Sequence, residues 1–401
     1  MFFMKIAILS DFHIGYERFR EDARKQAEEA LLSAADNADM LLIPGDIFDR
    51  RSPSPDVLVE GLTLFRSVSR KKFDAKITRY LGEGKIYTDV PIIAIPGTHE
   101  RVAQGVDNAV SLLNLAGLVA DVSSATVIVE KNGEKVAVTG IGGLAEERFK
   151  EYVKNTKFEP VPGAFNILMM HQSLFELLPY SQDFLHFDEL PKGFDLYIDG
   201  HIHSRVEKKV HGKPFLIPGS TVLTQLKETE QEPKGYFIFD TDTKIYTYHN
   251  IKSRKFYYLK INASGKDPEL LRREIKELID GKLQASEDRP IIRVELAGTL
   301  KEGFRSIDAN LDSVEKSYKD NALVEITSAG IDESVRESAS SLKQNYLDNA
   351  SAKERGLAIL LEKLQKNKYA LDVNPSLLFE ILSSGESKEK VLKKALDEIY
   401  K

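Results

Sequence analysis

Short apolar runs alternate with amphipathic stretches from the start of the chain, a pattern typical of βαβ architecture. Runs rich in Ile, Leu, Val and Met predict buried strands at Lys5 to Ser10, Met40 to Pro44, Val90 to Ile95, Asn166 to Met170, Asp195 to Ile198 and Pro214 to Ile217. Amphipathic stretches predict helices at Arg18 to Asn37, Pro55 to Arg70 and Asp107 to Ala116. The first part of the chain is therefore predicted to be an α/β domain.

Two further stretches of this domain, which we place at residues 1–252, have antiparallel patterns. Asn132-Gly133 lies between the two β-rich halves of Ala125 to Gly140 and predicts a type I′ hairpin turn. Tyr236 to His249 alternates apolar and polar positions and predicts edge strands. Lys71 to Asp89 is polar and basic, and we interpret it as an insertion.

The pattern changes after Ser253. A strand, helix, strand, strand order predicts a small α+β domain over residues 253–330. Its elements are expected at Lys255 to Ile261, Asp267 to Ile279, Ile291 to Leu296 and Leu323 to Ile326. Residues 331–401 are predicted to form a helical tail with two apolar stripes, at Leu377 to Leu382 and Val391 to Ile399. Those stripes could grip the helices of a partner or pack on each other as a helical hairpin.

Composition and charge narrow the class of protein. The chain has 401 residues, of which 42% are hydrophobic and 29% charged, with a formal net charge of −6. These values exclude collagen-like and wholly disordered chains. Cysteine is absent, which excludes disulfides and thiolate metal sites. Because no apolar run approaches the roughly 20 residues of a membrane span, we expect a soluble, cytoplasmic protein without a membrane partner.

The candidate chemistry lies where the predicted strands end. Five of the eight histidines and three aspartates follow strand-like runs directly; they are His13, His99, His171, His201, His203, Asp11, Asp46 and Asp49. Open α/β sheets place their sites at the carboxyl ends of strands. A single Asp-x-His match is more often a capped turn. Capped turns do not explain five segments with Asp or His that all follow predicted strands.

These residue types suit a pair of divalent cations. Two cations about 4 Å apart can activate water, hold a phosphate and neutralise charge during an in-line displacement. Such a pair needs a bridging carboxylate and neutral imidazoles, which favour manganese, iron or zinc over calcium. Residues two apart in an extended segment project to the same side, as Asp11 and His13 would. The sequence therefore predicts a two-metal site.

The motifs resemble a known family. The five segments Asp11-x-His13, Gly45-Asp46, Gly97-x-His99-Glu100, His171 and Gly200-His201-x-His203 are similar to the signature motifs of the calcineurin-like metallophosphoesterases. Ile217-Pro218-Gly219-Ser220-Thr221 resembles the double-strand-break repair nucleases of the Mre-eleven and SbcD type within that superfamily. The resemblance implies a metallophosphoesterase β-sandwich flanked by helices, a small α+β capping domain that binds DNA, and a helical C-terminal tail that binds the coiled coil of an ATPase.

The resemblance also implies roles for individual residues. Metal one would be held by Asp11, His13, Asp46 and His203. Metal two would take Asp46 as a bridge, together with His171, His201 and position 98. His99 would contact the phosphate, as general acid or transition-state stabiliser, with Glu100 as its orienting partner.

Position 98 departs from the family pattern, because Thr98 stands where the family has asparagine. A hydroxyl oxygen is a shorter and poorer neutral ligand than an amide oxygen. Either metal two is bound more weakly or through water, or Thr98 only fills the turn while the other ligands suffice.

Three residues near the motifs are candidates for substrate binding. The family often has a histidine near the phosphate at the position of Asp49, although a helix N-cap is an equal interpretation. Arg50 and Arg51, like Lys71, Lys72 and Arg79, could contact the DNA backbone, although basic runs are usually solvated faces.

The function implied is a manganese nuclease with two Mn²⁺ ions per chain, Mg²⁺, Fe²⁺ or Zn²⁺ being alternatives. It would cut single-stranded DNA as an endonuclease and duplex DNA as a 3′ to 5′ exonuclease, near the nucleoid, as a homodimer with an SMC-like, Rad-fifty-type ATPase. Val106 to Leu118 has enough apolar residues for the dimer contact, although core packing explains it equally. The alternatives are a general phosphodiesterase or nucleotidase, and a non-catalytic scaffold for the ATPase.

Overall fold

A computed structural model describes residues 4–331, apart from 83, 103–105, 179–183 and 287. The chain divides into two compact units. The larger unit contains the residues up to Tyr258, together with Asp280–Arg293 and Tyr318–Val324. The smaller unit contains Leu259–Ile279, Val294–Ser317 and the described residues that follow Val324. The predicted helical tail at 331–401 lies outside the described residues, except for its first residue.

The predicted elements of the larger unit occur in the predicted order, and three strands and one helix that were not predicted occur besides them, at Lys76–Leu81, Ala120–Asp121, Val206–Val210 and Glu146–Asn155. Its strands are β1 (Lys5–Ile8), β2 (Met40–Ile43), β3 (Lys76–Leu81), β4 (Ile92–Ala94), β5 (Ala120–Asp121), β6 (Ala125–Lys131), β7 (Glu134–Ile141), β8 (Phe165–Met170), β9 (Leu196–Asp199), β10 (Val206–Val210), β11 (Lys213–Ile217), β12 (Gly235–Asp240) and β13 (Tyr246–Asn250). Its helices are α1 (Arg20–Asn37), α2 (Pro55–Ser69), α3 (Ala109–Leu115) and α4 (Glu146–Asn155), with short 3₁₀ turns at Glu17–Phe19, Phe187–Glu189 and Glu228–Gln231.

The strands form two sheets. One has the order β13-β12-β1-β2-β4-β5, and the other has the order β10-β11-β9-β8-β7-β6-β3. In the first sheet β1, β2, β4 and β5 are parallel, whereas β12 and β13 are antiparallel additions beside β1. In the second sheet β7, β8, β9 and β11 are parallel. Both sheets therefore present parallel strand ends.

The alternation of side chains along β1 explains how the layers pack. Ile6 and Ile8 lie in one buried cluster with Val136 and Met169 of the second sheet. On the opposite face, Ala7 and Leu9 lie in a cluster with helical residues of α1 such as Ala30. The first sheet is thus covered by the second sheet on one face and by helices on the other. This arrangement confirms the predicted α/β class with a β-sandwich flanked by helices.

Of three further predictions for the larger unit, one is confirmed, one was incomplete and one was half wrong. The hairpin turn is confirmed, because Asn132 and Gly133 have φ angles of 51° and 88°, as a type I′ turn requires. The insertion at Lys71 to Asp89 was an incomplete interpretation, because it contains β3, in which only Ile77 is buried. The assignment of Tyr236 to His249 as edge strands was half wrong: β12 pairs on both sides, with β1 and β13.

A three-stranded sheet has the order β14 (Phe256–Asn262), β15 (Ile291–Gly298) and β16 (Leu323–Ile331), and the greater part of each strand lies in the smaller unit. Its helices are α5 (Pro268–Gln284) and α6 (Leu311–Ser317), with a 3₁₀ turn at Ser306–Ala309. Leu271, Ile275 and Ile279 of α5 are buried at a spacing of four residues, which gives this helix one apolar face. Helices long and apolar enough to cross a membrane do not occur among the described residues.

We expect Phe237→Ala to destabilise the larger unit by about 3–5 kcal/mol, because its fully buried ring fills space between the sheets. Denaturant unfolding followed by circular dichroism measures the loss. Ile245→Ala is the matched control, since Ile245 precedes the partner strand of the same hairpin and its side chain is 62% exposed. A similar loss in both variants would contradict the assignment of Phe237 to the core.

Candidate metal centre

The site lies where strand ends of the two sheets meet. Asp11 and His13 follow β1, Asp46 follows β2 and Thr98, His99 and Glu100 follow β4, whereas His171 follows β8 and His201 and His203 follow β9. Backbone hydrogen bonds tie the first two segments together, from Asp11 N to Gly45 O at 3.2 Å and from His13 N to Asp46 O at 3.1 Å. The structure therefore brings together residues from distant parts of the chain.

Four of these residues have an unusual backbone. The φ angles of Asp11, His13, Asp46 and His201 are 53°, 48°, 50° and 70°. Residues with a Cβ rarely adopt this left-handed region, because the side chain crowds the backbone. Such strained residues persist where the surrounding structure holds them, and they cluster at functional sites.

The first of two side-chain clusters contains Asp11, His13 and His203. The Nε2 atoms of His13 and His203 are 3.2 Å apart, and His203 Nε2 lies 3.8 Å from Asp11 Oδ1. Asp11 and His13 are almost completely buried. Asp11 Oδ2 has no hydrogen-bond partner within the described part of the chain. A buried carboxylate oxygen without a hydrogen-bond partner destabilises the folded protein unless a cation or a proton satisfies it.

The second cluster contains Asp46, His171 and His201. His171 Nε2 lies 3.2 Å from Asp46 Oδ2. Asp46 also groups with His13 and His99, so its carboxylate lies between the two clusters. Gly97 leaves the space for that carboxylate, because a Cβ atom on Gly97 would lie 2.2 Å from Asp46 Oδ1.

Thr98 lies within the second cluster. Its hydroxyl Oγ1 is 3.3 Å from Asp46 Oδ2, 3.4 Å from His171 Nε2 and 3.4 Å from His201 Nδ1. The hydroxyl is thus placed among the candidate ligands. Its role as a ligand to metal two stays a prediction.

Burial and charge set the protonation of the candidate ligands. Burial lowers the pKa of His201 to about 4 and that of His203 well below its usual range, so both imidazoles are neutral near pH 7. Burial also raises the pKa of Asp11 to about 6. For His171, burial favours the neutral form, but the carboxylates of Asp46 and Asp11 outweigh it and raise the pKa to about 10. His171 therefore carries a proton that a cation would replace.

The donor set fits divalent metal ions. Neutral imidazole nitrogens with carboxylate oxygens suit manganese, iron and zinc better than calcium. The residues with a left-handed backbone hold these donors in place. A bound cation would satisfy Asp11 Oδ2, which has no hydrogen-bond partner among the described residues. Asp11, His13 and His203 would hold one ion, and Asp46, His171 and His201 would hold another.

The structure corrects the expectation that Glu100 orients His99. The buried carboxylate of Glu100 accepts hydrogen bonds from the backbone nitrogens of Phe48 at 2.7 Å and Gly97 at 2.8 Å. It therefore links the turns after β2 and β4. The group beside the His99 ring is Asp49, whose carbonyl oxygen lies 2.5 Å and whose carboxylate lies 3.8 Å from His99 Nδ1.

The substrate-binding candidates lie in different surroundings. The Asp49 carboxylate lies 3.3 Å from His13 Nδ1. The alternative helix N-cap role is wrong, because α2 begins at Pro55 after Ser54. Arg50 and Arg51 are exposed, and Arg50 pairs with Glu17 at 2.9 Å. Substrate binding by Asp49, Arg50 and Arg51 stays a prediction.

The sequence did not predict the residues behind the candidate ligands. Pro44 O lies 2.6 Å from His171 Nδ1, and Thr224 Oγ1 lies 2.5 Å from His203 Nδ1. The buried carboxylate of Asp199 accepts hydrogen bonds from the backbone nitrogens of Gln172 and Gly200, each at 2.9 Å. Asp199 had a signal in the sequence, since it directly precedes the Gly200-His201-x-His203 motif; Thr224 had none.

Known proteins match most of the larger unit. A sequence model of the calcineurin-like phosphoesterase family matches residues 4–205. The chain is 27% identical over 298 residues to the DNA double-strand break repair protein Mre11 of Methanopyrus kandleri, covering 67% of this chain and 62% of that protein. The corresponding protein of Sulfurisphaera tokodaii is 27% identical over 342 residues, covering 79% and 81% of the two chains. A rice relative, the double-strand break repair protein MRE11 of Oryza sativa subsp. japonica, is 26% identical over 356 residues, covering 73% of this chain and 50% of its own. The chain thus spans between half and four fifths of these relatives.

We expect metal binding at pH 7.5 to release at least one proton, because a cation must displace the proton of His171, whose pKa is about 10, and the pKa of His13 is raised as well. Affinity should therefore rise with pH up to that value. Titration calorimetry in two buffers of different ionisation enthalpy measures the number of protons released. His186→Ala, which changes a half-exposed histidine paired with Glu176, should release the same number. Heats that do not depend on the buffer would contradict this protonation state.

Proposed function

The chain belongs to the calcineurin-like phosphoesterase family, and on that premise we propose that it is a manganese-dependent DNA nuclease that processes double-strand breaks. The observation that carries the proposal is that Asp46 groups with His171 and His201 on one side and with His13 and His99 on the other, while His13 also groups with Asp11 and His203. DNA as the substrate is supported by the relatives, which are named as DNA double-strand break repair proteins. Cleavage of single strands by endonuclease action and of duplex ends in the 3′ to 5′ direction is part of the proposal.

Asp11, His13, Asp46, Thr98, His171, His201 and His203 are the proposed ligands. Two bound Mn²⁺ ions would supply an activated water and neutralise the charge of the phosphate. The protein orients the ligands. The backbone nitrogen of His99 donates to Asp46 Oδ1 at 2.8 Å, which leaves Oδ2 toward His171 and Thr98.

His99 is the proposed proton donor. Its ring is 42% exposed, whereas the Asp49 side chain behind it is 16% exposed, so a substrate can reach the imidazole. A carbonyl oxygen only accepts hydrogen bonds, so the contact between His99 Nδ1 and Asp49 O places a proton on Nδ1. With Nδ1–H directed at this carbonyl, the imidazolium form, protonated on both ring nitrogens, would give its Nε2 proton to the leaving 3′ oxygen or stabilise the transition state.

The partners belong to the same proposal. Val106, Leu112 and Leu115, in and just before α3, have exposed fractions of 56%, 38% and 54%. Exposed apolar side chains on one short segment support a homodimer contact there.

We also propose that residues 253–330 bind DNA and that residues 331–401 bind the coiled coil of a Rad-fifty-type ATPase, with the complex acting at the nucleoid.

A nuclease assay tests the activity. Purified protein with labelled single-stranded or duplex DNA should cut in manganese and not in chelator. His99→Ala should lower the rate by about 10²- to 10⁴-fold, as expected for the loss of a general acid. His186→Ala should cut at the wild-type rate. Hydrolysis of bis-p-nitrophenyl phosphate with DNA left intact would favour a general phosphodiesterase, and no hydrolysis of either substrate would favour a scaffold.

Thr98→Asn tests whether the hydroxyl limits the site. An amide oxygen reaches further than a hydroxyl and is the better neutral ligand, so we expect tighter binding of the weaker of two manganese ions. The stoichiometry and affinity from calorimetry measure this, with Thr98→Val as the matched variant that has no oxygen. Equal affinities in all three proteins would mean that Thr98 only fills the turn.

A further inference from the structure

A continuous chain of hydrogen bonds runs behind His203. His203 Nδ1 lies 2.5 Å from Thr224 Oγ1, and Thr224 Oγ1 lies 3.2 Å from Glu230 Oε1. Lys234 Nζ lies 3.4 Å from the same carboxylate oxygen. Glu230 and Lys234 are 4% and 5% exposed, so the ion pair at the end of this chain is buried. Buried ion pairs are costly unless further hydrogen bonds satisfy them.

The direction of each hydrogen bond follows from the chemistry of the groups. Burial tends to raise the pKa of Glu230, but the Lys234 ammonium and backbone N–H groups outweigh burial and lower it, so Glu230 is a carboxylate. A carboxylate only accepts. The Thr224 hydroxyl must therefore donate to Glu230, and its lone pair is left to accept from His203. The proton of neutral His203 then resides on Nδ1, and the lone pair of Nε2 faces Asp11 and His13.

The surrounding backbone holds the same groups in place. Glu230 also accepts from the backbone nitrogens of Thr224 at 3.1 Å and Gln225 at 2.9 Å. The Tyr16 hydroxyl donates to Thr224 O at 2.7 Å. Lys234 Nζ donates to the carbonyl of His203 at 3.2 Å. Both the ring and the backbone of His203 are thus attached to one buried ion pair.

We propose that Thr224 and Glu230 are positioning residues that fix His203 as the Nδ1–H tautomer and so present its Nε2 atom to a metal ion. This inference rests on the proposed function in so far as His203 is a metal ligand. The groups behind a ligating histidine commonly change metal affinity by about 10- to 100-fold. Lys234 supports the arrangement by neutralising Glu230 and by holding the His203 carbonyl.

The tautomer is tested in the metal-free protein. Imidazole ¹⁵N–¹H spectra distinguish the two neutral tautomers, and the signal of His203 is identified by its loss in His203→Gln. We expect the Nδ1–H form in the wild type and a mixture in Thr224→Val, which keeps the shape and removes the hydroxyl. Thr221→Val is the matched control, because Thr221 is a buried threonine of the same segment. Its hydroxyl has no hydrogen-bond partner among the described residues. An Nε2–H form in the wild type, or an unchanged spectrum in Thr224→Val, would overturn the inference.

Metal affinity gives the second readout. Calorimetry with Mn²⁺ should show one of two sites weakened by about 10- to 100-fold in Thr224→Val, with wild-type affinity restored in Thr224→Ser and kept in Thr221→Val. Circular dichroism checks that each variant is folded. Wild-type protein that binds no Mn²⁺ would refute the proposed function, while the spectra still decide the tautomer. Normal binding in the wild type and in Thr224→Val alike would refute the positioning role alone.

Discussion

The buried carboxylate of Asp46 is the group on which both halves of the site depend. One oxygen accepts from the backbone of His99 and the other lies 3.2 Å from His171, while the carbonyl of the same residue holds His13 in place. A carboxylate removed from water is tolerated only beside compensating charge. The left-handed backbone of Asp46 and the absence of a side chain at Gly97 make room for it. The structure thus accepts local strain to keep one negative charge beside the backbone N–H of His99, the His171 ring and the Thr98 hydroxyl.

Much of the fold and of the site could be predicted from the sequence, because both depend on local signals. A buried strand that ends in a polar turn can be recognised in the sequence, and the strand ends meet at a common edge, so Asp11, Asp46 and His171 were found together. Strand β3 was missed because a strand with Ile77 as its one buried residue carries almost no periodic signal. Thr224 was missed because it contacts His203 only through the path of an irregular loop.

The sequence predicted Glu100 beside His99, whereas the structure has Asp49 there, which shows a limit of predicting contacts from neighbours in the sequence. Neighbours in sequence diverge in space when the chain turns sharply, and Glu100 is directed into the interior, where it accepts from two backbone nitrogens. Asp49 is 50 residues from His99 in the chain, yet its carbonyl lies 2.5 Å from the ring. Two turns that follow neighbouring parallel strands β2 and β4 therefore determine the contact, and adjacency to a motif does not.

The division of the candidate ligands between two sheets bears on how the protein matures. The first sheet contributes Asp11, His13 and Asp46, and the second contributes His171, His201 and His203. A chain in which only one sheet has formed carries only part of each donor set. Because sheet pairing here joins residues far apart in sequence, it belongs to the slow part of folding. A newly made chain therefore has no complete set of candidate metal ligands until the sandwich closes, and a cation bound to the complete set would stabilise the closed sandwich over its separated layers.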